Sequence, residues 1–262
     1  MGAASESLTT AFDETQSTHA YPEGIEFGYW SLARNRMIVR ALKTAEEMGL
    51  IGADATLLEV GCGPGLVVQA LRQEGFNSWG AELGRPQVRS EVLSYVKTGV
   101  RAQDLPENFR DDVDAVMLFD VIEHIEEDSA FLSSLKSAFP NAKVLILTVP
   151  AGMAAWSNYD EYYGHYRRYG RNGLNATVRA AGMRPVMTRS FFSSLYAAAC
   201  VLKGLKIRRS VELKSPQFRP LHRLLAAALD LENRIAGPLG LPGLSLITVC
   251  AVEADRRHPP KG

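Results

Sequence analysis

Apolar residues recur along this chain with two alternating periods. Trp30, Ala33, Met37, Ile38, Ala41, Leu42, Ala45 and Met48 fall at three- and four-residue steps, one apolar face of a helix that starts near Phe27 and closes at Gly49. Residues 56–60 break that period with a short apolar run cut off by Gly61, as expected of a buried parallel strand. Helical spacing returns over 66–74, and the alternation continues with a strand at 78–83, a helix at 88–97 and a third strand before Ala102. A strand at 113–119, a helix at 128–138, a strand at 144–149 ended by Pro150, and strands at 184–189 and 244–252 follow. Strands alternating with helices at this spacing predict an α/β fold, a doubly wound and mostly parallel seven-stranded sheet. Between the last two strands, residues 191–240 read as a helical insertion whose clearest apolar stripe is Leu221, Leu224, Leu225, Ala228, Leu229 and Leu231. The expected plan is a flexible arm over 1–24, one domain over 25–190 and 241–254 headed by a lid helix, the insertion over 191–240, and a frayed tail over 255–262.

The chemistry concentrates at the first strand's end, in Glu59-Val60-Gly61-Cys62-Gly63-Pro64-Gly65. Alternate glycines between a strand and a helix let the backbone turn sharply and bring bare amides against a ligand. A dinucleotide fingerprint would read G-x-G-x-x-G, whereas this loop reads G-x-G-x-G with Leu at 66. The next strand ends at Glu82, 17 residues past Gly65, where a carboxylate can accept both hydroxyls of a ribose. Asp104, in Ala102-Gln103-Asp104-Leu105, follows the third strand, where a carboxylate can accept from an adenine amine, and Phe119-Asp120 follows the fourth. All lie at carboxyl ends of parallel strands, where open α/β sheets bind ligands. A nicotinamide-dependent oxidoreductase shares the loop and the ribose acid; it calls for neither an acid at 104 nor a Glu-His pair after the fourth strand.

These motifs, E-V-G-C-G-P-G at 59–65, Glu82, Asp104 and D-V-D-A-V-M-L-F-D-V-I-E-H at 112–124, resemble those of the class I S-adenosylmethionine-dependent methyltransferases over roughly 56–190 and 244–252. The resemblance implies S-adenosylmethionine as cofactor and S-adenosylhomocysteine as its product. It assigns the methionine end to Gly61, Gly63 and Gly65, the ribose to Glu82 and the adenine to Asp104. Glu59, Cys62, Leu83, Leu105, Phe119 and Asp120 join the expected cofactor set.

Displacing a methyl group from a sulfonium needs mainly an aligned nucleophile and a base for its proton. The candidate bases are His124 and His165, the latter in an aromatic and polar segment, residues 156–169, that follows the fifth strand. That segment is similar to one in a bacterial subgroup of the superfamily that includes ubiquinone-biosynthesis-like enzymes, and Tyr29, Trp30 and Arg34 resemble the subgroup's aromatic N-terminal lid helix. Tyr29, Trp30, Arg34, Trp156, Tyr159, Tyr163 and Arg168 are therefore the expected substrate residues, although His165 as a helix cap and Arg168 as an ion-pair partner explain the same segment. Asp120, Glu123 and His124 have the types to bind a divalent ion, as some ubiquinone-pathway and small-RNA methyltransferases do on E-x-x-E-H at this place. Here Asp120 shortens the reach, and no metal ligand is assigned.

Composition adds boundaries. Twenty-nine basic and 29 acidic residues give zero net charge, which argues against a whole-surface nucleic-acid binder. Residues 203–223 nonetheless carry seven basic side chains against Glu212 alone, a local +6 suited to an anionic carrier or membrane surface. Cys62, Cys200 and Cys250 lie far apart without zinc spacing, as reduced thiols in a cytoplasmic protein do. No secretory leader is expected from the first 20 residues. The most apolar stretch, 191–207, is 17 residues long and contains Lys203 and Lys206, so no spanning helix is expected. The expectation is a cytoplasmic methyltransferase, peripheral at most to a membrane, a monomer or homodimer that acts on an oxygen or nitrogen of a small acceptor. A metal-assisted RNA 2′-hydroxyl methyltransferase and a non-catalytic scaffold on the same fold are the alternatives.

Overall fold

The computed structural model describes residues 12–253. Seven strands, β1 (Thr56–Val60), β2 (Asn77–Glu82), β3 (Val96–Thr98), β4 (Ala115–Phe119), β5 (Val144–Pro150), β6 (Met183–Phe191) and β7 (Ser245–Val252), form one sheet in the order 3-2-1-4-5-7-6. β7 alone is reversed, antiparallel to both β5 and β6. Among the described residues nine α-helices accompany them: α1 (Glu14–Ala20), α2 (Tyr29–Glu47), α3 (Leu66–Gln73), α4 (Glu107–Asp111), α5 (Asp128–Ala138), α6 (Asn158–Tyr162), α7 (Arg171–Ala180), α8 (Ser193–Gly204) and α9 (Arg219–Ala236).

Both faces of the central strands are buried, which is why these strands read as apolar runs rather than alternations. Leu58, Val116, Leu118, Leu145 and Leu147 pack beneath α5 and α7, with Leu132, Leu135, Leu174 and Val178. Leu57, Ala115, Met117, Val144 and Ile146 face the other way, against Ile38 and Leu42 of α2, Leu71 of α3 and Ala226 of α9. The strand order reverses between β1 and β4, so their carboxyl ends diverge into the crevice where such sheets bind ligands.

Two sequence expectations change and a third gains a direction. The helix expected at 88–97 is a single 3-10 turn, Ser90–Val92, followed by the edge strand β3. Val92 and Val96 are both buried, so their four-residue spacing looks helical, but Val96 pairs with Gly80 and continues the sheet. The arm expected to be flexible over 1–24 contains α1, closed by a capping box in which Gln16 N donates to Asp13 Oδ1 (2.7 Å) and Asp13 N to Gln16 Oε1 (3.2 Å); residues 1–11 lie outside the described residues. The insertion's apolar stripe faces outward: Leu221, Leu224, Leu225, Ala228 and Leu231 are exposed and only Leu229 is buried.

Candidate active site

A cavity of about 630 Å³ opens at the carboxyl ends of β1, β2 and β4. Its floor includes Gly61 and Gly63, both with left-handed backbone (φ 76° and 52°). A Cβ at Gly61 would come within 2.8 Å of Val121, and one at Gly63 within 2.9 Å of the Tyr21 ring, so both steric freedom and space demand glycine. Glu82 ties the loop to its own strand: Gly63 N donates to Oε2 (2.9 Å) and Gly84 N to Oε1 (2.7 Å). Each carboxylate oxygen has further lone-pair capacity, so the group can still accept from a diol facing it in the cavity. Asp120 bounds the other side in a left-handed conformation (φ 58°), its carboxylate accepting from Arg34 Nη1 at 2.6 Å.

Of the expected cofactor residues, Gly61, Gly63, Glu82, Leu83, Phe119 and Asp120 line this cavity, and Glu59, Cys62, Gly65, Asp104 and Leu105 do not. Strand periodicity turns Glu59 to the Leu57 face of β1, beneath the loop, where burial, and then the nearby Glu82, push its carboxyl up to about 8 against the opposing pull of Arg34. Cys62 packs among Val68, Val92 and Val96, and Gly65 caps α3 against Val92 and Val96. Leu105 is buried in the core, and the Asp104 side chain points to solvent, 61% exposed, 3.7 Å from Arg101. Arg101, Ala102 and Gln103 occupy that end of the cavity instead.

The expected substrate residues are redistributed as well. Trp30 packs on Phe192 at 4.5 Å, and Tyr29 stacks on His222, both inside the core layer of α2. Arg34 orients Asp120 rather than facing the cavity. The cover over the cavity comes from the arm expected to be flexible: Phe12, Asp13, Ser17, Thr18 and Tyr21 line it. The lid is anchored by Gln16 Nε2 to Tyr162 O (2.8 Å) and by His19 Nδ1 to the Tyr162 hydroxyl (2.8 Å). The signal for it was present as Asp13-x-x-Gln16, the capping box itself.

Of the two histidines, only His124 lines the cavity. Burial, then its neighbour His165, lower it to about 3, so it is a neutral imidazole, with a hydrogen bond to the Tyr163 backbone. His165 stands behind it, ring centroids 4.6 Å apart and edge-on. His165 Nδ1 is 3.0 Å from Asp160 Oδ1, and because a carboxylate can only accept, the Nδ1 proton points at that oxygen. Asp160 is fully buried and also accepts from Arg168 Nε (2.6 Å), Ser157 N (2.8 Å) and Ser157 Oγ (3.2 Å). Burial alone would raise its carboxyl; the hydrogen bonds from His165 and Arg168 and the guanidinium charge overcome that and hold it well below the usual range. Arg168 is thus the counter-charge of Asp160, not a cavity residue. Tyr159 and Tyr163 pack on each other at 4.6 Å beneath the lid; the Tyr163 hydroxyl donates to Val211 O (2.8 Å), and Trp156 lines a separate crevice beside α8.

No metal ligand was assigned from the sequence. The structure brings Glu123, His124 and His165 together with one ligand atom each within 4.8 Å, and neither oxygen of the buried Glu123 carboxylate has a hydrogen-bond partner among the described residues. Burial, then Asp120, push that carboxyl well up. This set could hold a divalent cation; Asp120, engaged by Arg34, stands outside it.

Comparison with known proteins gives a consistent picture. A family model described as a methyltransferase domain matches residues 29–188. The ubiquinone biosynthesis O-methyltransferase of Pseudomonas fluorescens is 26% identical over 116 residues, covering 40% of this chain and 47% of that protein. The chain therefore spans about half the length of the curated relative it matches. Among solved structures, a putative sarcosine dimethylglycine methyltransferase from Galdieria sulphuraria superposes with a TM-score of 0.52 at 12% identity, covering 84% of this chain and 86% of that one. The cyclase SpnF does so with 0.51 at 18%, covering 86% and 83%. At these identities the structural likeness establishes the fold.

Proposed function

Since this chain belongs to the methyltransferase-domain family of class I S-adenosylmethionine-dependent proteins, we propose that it transfers a methyl group from S-adenosylmethionine to an oxygen or nitrogen of a small acceptor. The observation that carries this reading is the cavity itself, which places the Gly61–Gly63 loop and Glu82 at one side, Asp120 and His124 at the other, and α1 across the top. When bound, S-adenosylmethionine supplies an electrophilic methyl on its sulfonium, which an acceptor atom displaces in line. Glu82 accepts the ribose hydroxyls, and the loop offers bare backbone at the methionine end. Tyr21 and Phe12 exclude water from above. His124, kept neutral by burial, accepts a hydrogen bond from the acceptor and so aligns its lone pair. The acceptor's proton passes along that hydrogen bond to His124, and His165, its Nδ1 proton held by Asp160, fixes the His124 ring from behind. The name of the curated relative supports oxygen as the acceptor atom. The basic segment 203–223 is where an anionic carrier or surface would engage.

Calorimetric titration with S-adenosylhomocysteine, S-adenosylmethionine and NAD tests the reading. Binding of the first two and not the third is expected, and NAD binding with neither of the others would overturn it. Glu123, buried with both oxygens unpartnered, favours a second reading in which a divalent cation sits on Glu123, His124 and His165 beside the acceptor. A bound cation there would lower the acceptor's pKa. Manganese or magnesium should then raise the melting temperature of the wild type but not of Glu123→Gln.

A further inference from the structure

Eleven of the 15 large hydrophobic side chains exposed among the described residues lie between positions 201 and 241. α9 carries the core of this patch and is oriented against the usual rule. Its exposed face holds Leu221, Leu224, Leu225, Leu231 and Ile235, at the i, i+3, i+4 spacing of one stripe, with Leu224 67% and Leu231 60% exposed. Its buried face includes polar Asp230 and Asn233, both tied to the rest of the fold: Asp230 by an ion pair with Arg40, and Asn233 through Oδ1, which accepts from the Phe192 backbone amide (2.8 Å). Those buried polar contacts fix which side of the helix points outward. The exposed large hydrophobics continue with Val201 of α8 and with Leu205, Ile207 and Phe218 in the loop that follows.

Basic residues are interleaved with these apolar ones. Lys203, Lys206 and Arg208 alternate with exposed Leu205 and Ile207, and Arg219 and Arg223 flank Phe218 and Leu221. With Arg209 and Lys214 they make up the seven basic residues of 203–223, against Glu212 alone. A crevice of about 220 Å³ lined by Trp156, Lys203, Lys206, Arg208 and Arg209 opens within this basic zone.

We propose that α8, α9 and the loop between them dock the protein in the plane of an anionic bilayer, with the exposed leucines at the headgroup–acyl boundary and the Lys and Arg side chains on lipid phosphates. Charge decides the occupant. A second copy packed through the same face would set one +6 segment near another, whereas an anionic leaflet attracts it, by about fivefold in affinity for each Lys or Arg near the surface. No helix among the described residues is long and apolar enough to cross a membrane, so docking in the plane is the mode this surface allows. The inference does not depend on the methyl-transfer reading.

The test is co-sedimentation of the full chain with vesicles of phosphatidylcholine alone and of phosphatidylcholine with phosphatidylglycerol. Binding is expected to the anionic vesicles only, weakening as salt rises. Two double variants at exposed positions, Leu224→Glu with Leu231→Glu and Lys206→Glu with Arg208→Glu, should each lower the partition at least about tenfold at unchanged melting temperature. No binding to anionic vesicles at low salt overturns the proposal, as does binding indifferent to both variants. So does a dimer in sedimentation velocity that Leu224→Glu dissociates while vesicle binding is absent, which would assign the face to a second copy. Should a variant fail to fold, the lipid and salt dependence of the wild type still decides.

Discussion

Replacing Arg168 by Met separates a structural arginine from a substrate-binding one. Asp160 is 0% exposed and accepts four hydrogen bonds, and Arg168, itself buried, supplies the shortest of them (2.6 Å) together with a full positive charge. Arg168→Met leaves a buried carboxylate whose remaining partners are His165 and Ser157. Breaking one side of a buried ion pair costs about 3–5 kcal/mol, which for a chain of this size lowers the melting temperature by about 10 °C. Since the folded-state carboxyl is held below its ordinary value, the pair's contribution is present above the usual aspartate range and is lost as pH falls through and below it. The wild-type advantage over Arg168→Met should therefore be full at neutral pH and shrink in acid. Removing the stranded charge with Asp160→Asn in the Arg168→Met background should recover at least about half of the loss, a coupling of roughly 2 kcal/mol in the double-mutant cycle. Thermal melts followed by circular dichroism at neutral and acid pH measure all four proteins. If Arg168→Met melts within about 2 °C of the wild type, less than 1 kcal/mol is at stake and the ion-pair account is refuted.

Three further outcomes follow from the same geometry. Glu82→Gln keeps the side chain's size but turns an amide NH₂ toward the amide of Gly63 or Gly84 and loses charge-assisted acceptance, so S-adenosylhomocysteine affinity measured by calorimetry should fall by about 10- to 100-fold; a loss under threefold would remove Glu82 from the ribose site. Glu59 is raised to about 8 in the folded protein, so the wild type loses stability as pH rises from the ordinary glutamate range through about 8; Glu59→Gln should be the more stable protein in urea titrations above that pH, by roughly 5 kcal/mol, with the gap closing below about pH 5. Tyr162→Phe deletes the His19 anchor of α1, worth about 1 kcal/mol, and stopped-flow release of S-adenosylhomocysteine should quicken about fivefold at unchanged melting temperature; unchanged release would mean that α1 does not gate the cavity.

What was legible in the sequence was whatever the backbone itself demands. The β1–loop–α3 turn is written in Gly61 and Gly63 because no other residue fits there, and Glu82 and Asp120 are found by counting to strand ends, since a parallel sheet places those ends together. The side chains around the acceptor were not legible by the same means. Arg34 meets Asp120 across 86 positions, and Glu59 faces away from a cavity that its neighbour Val60 lines. An arginine and an aspartate eight positions apart in an aromatic segment read equally as substrate contacts or as an ion pair, and only burial decides between them. α9 is the sharpest instance. Its period was visible as a leucine stripe, but periodicity names a face without saying whether protein or solvent lies against it. Asp230 and Asn233 decide that through Arg40 and the Phe192 amide, partners 190 and 41 positions away. A stripe turned outward by buried polar contacts is therefore a property of the whole fold, and its exposure beside seven basic residues is what makes this surface, and not only the cavity, a place to look for function.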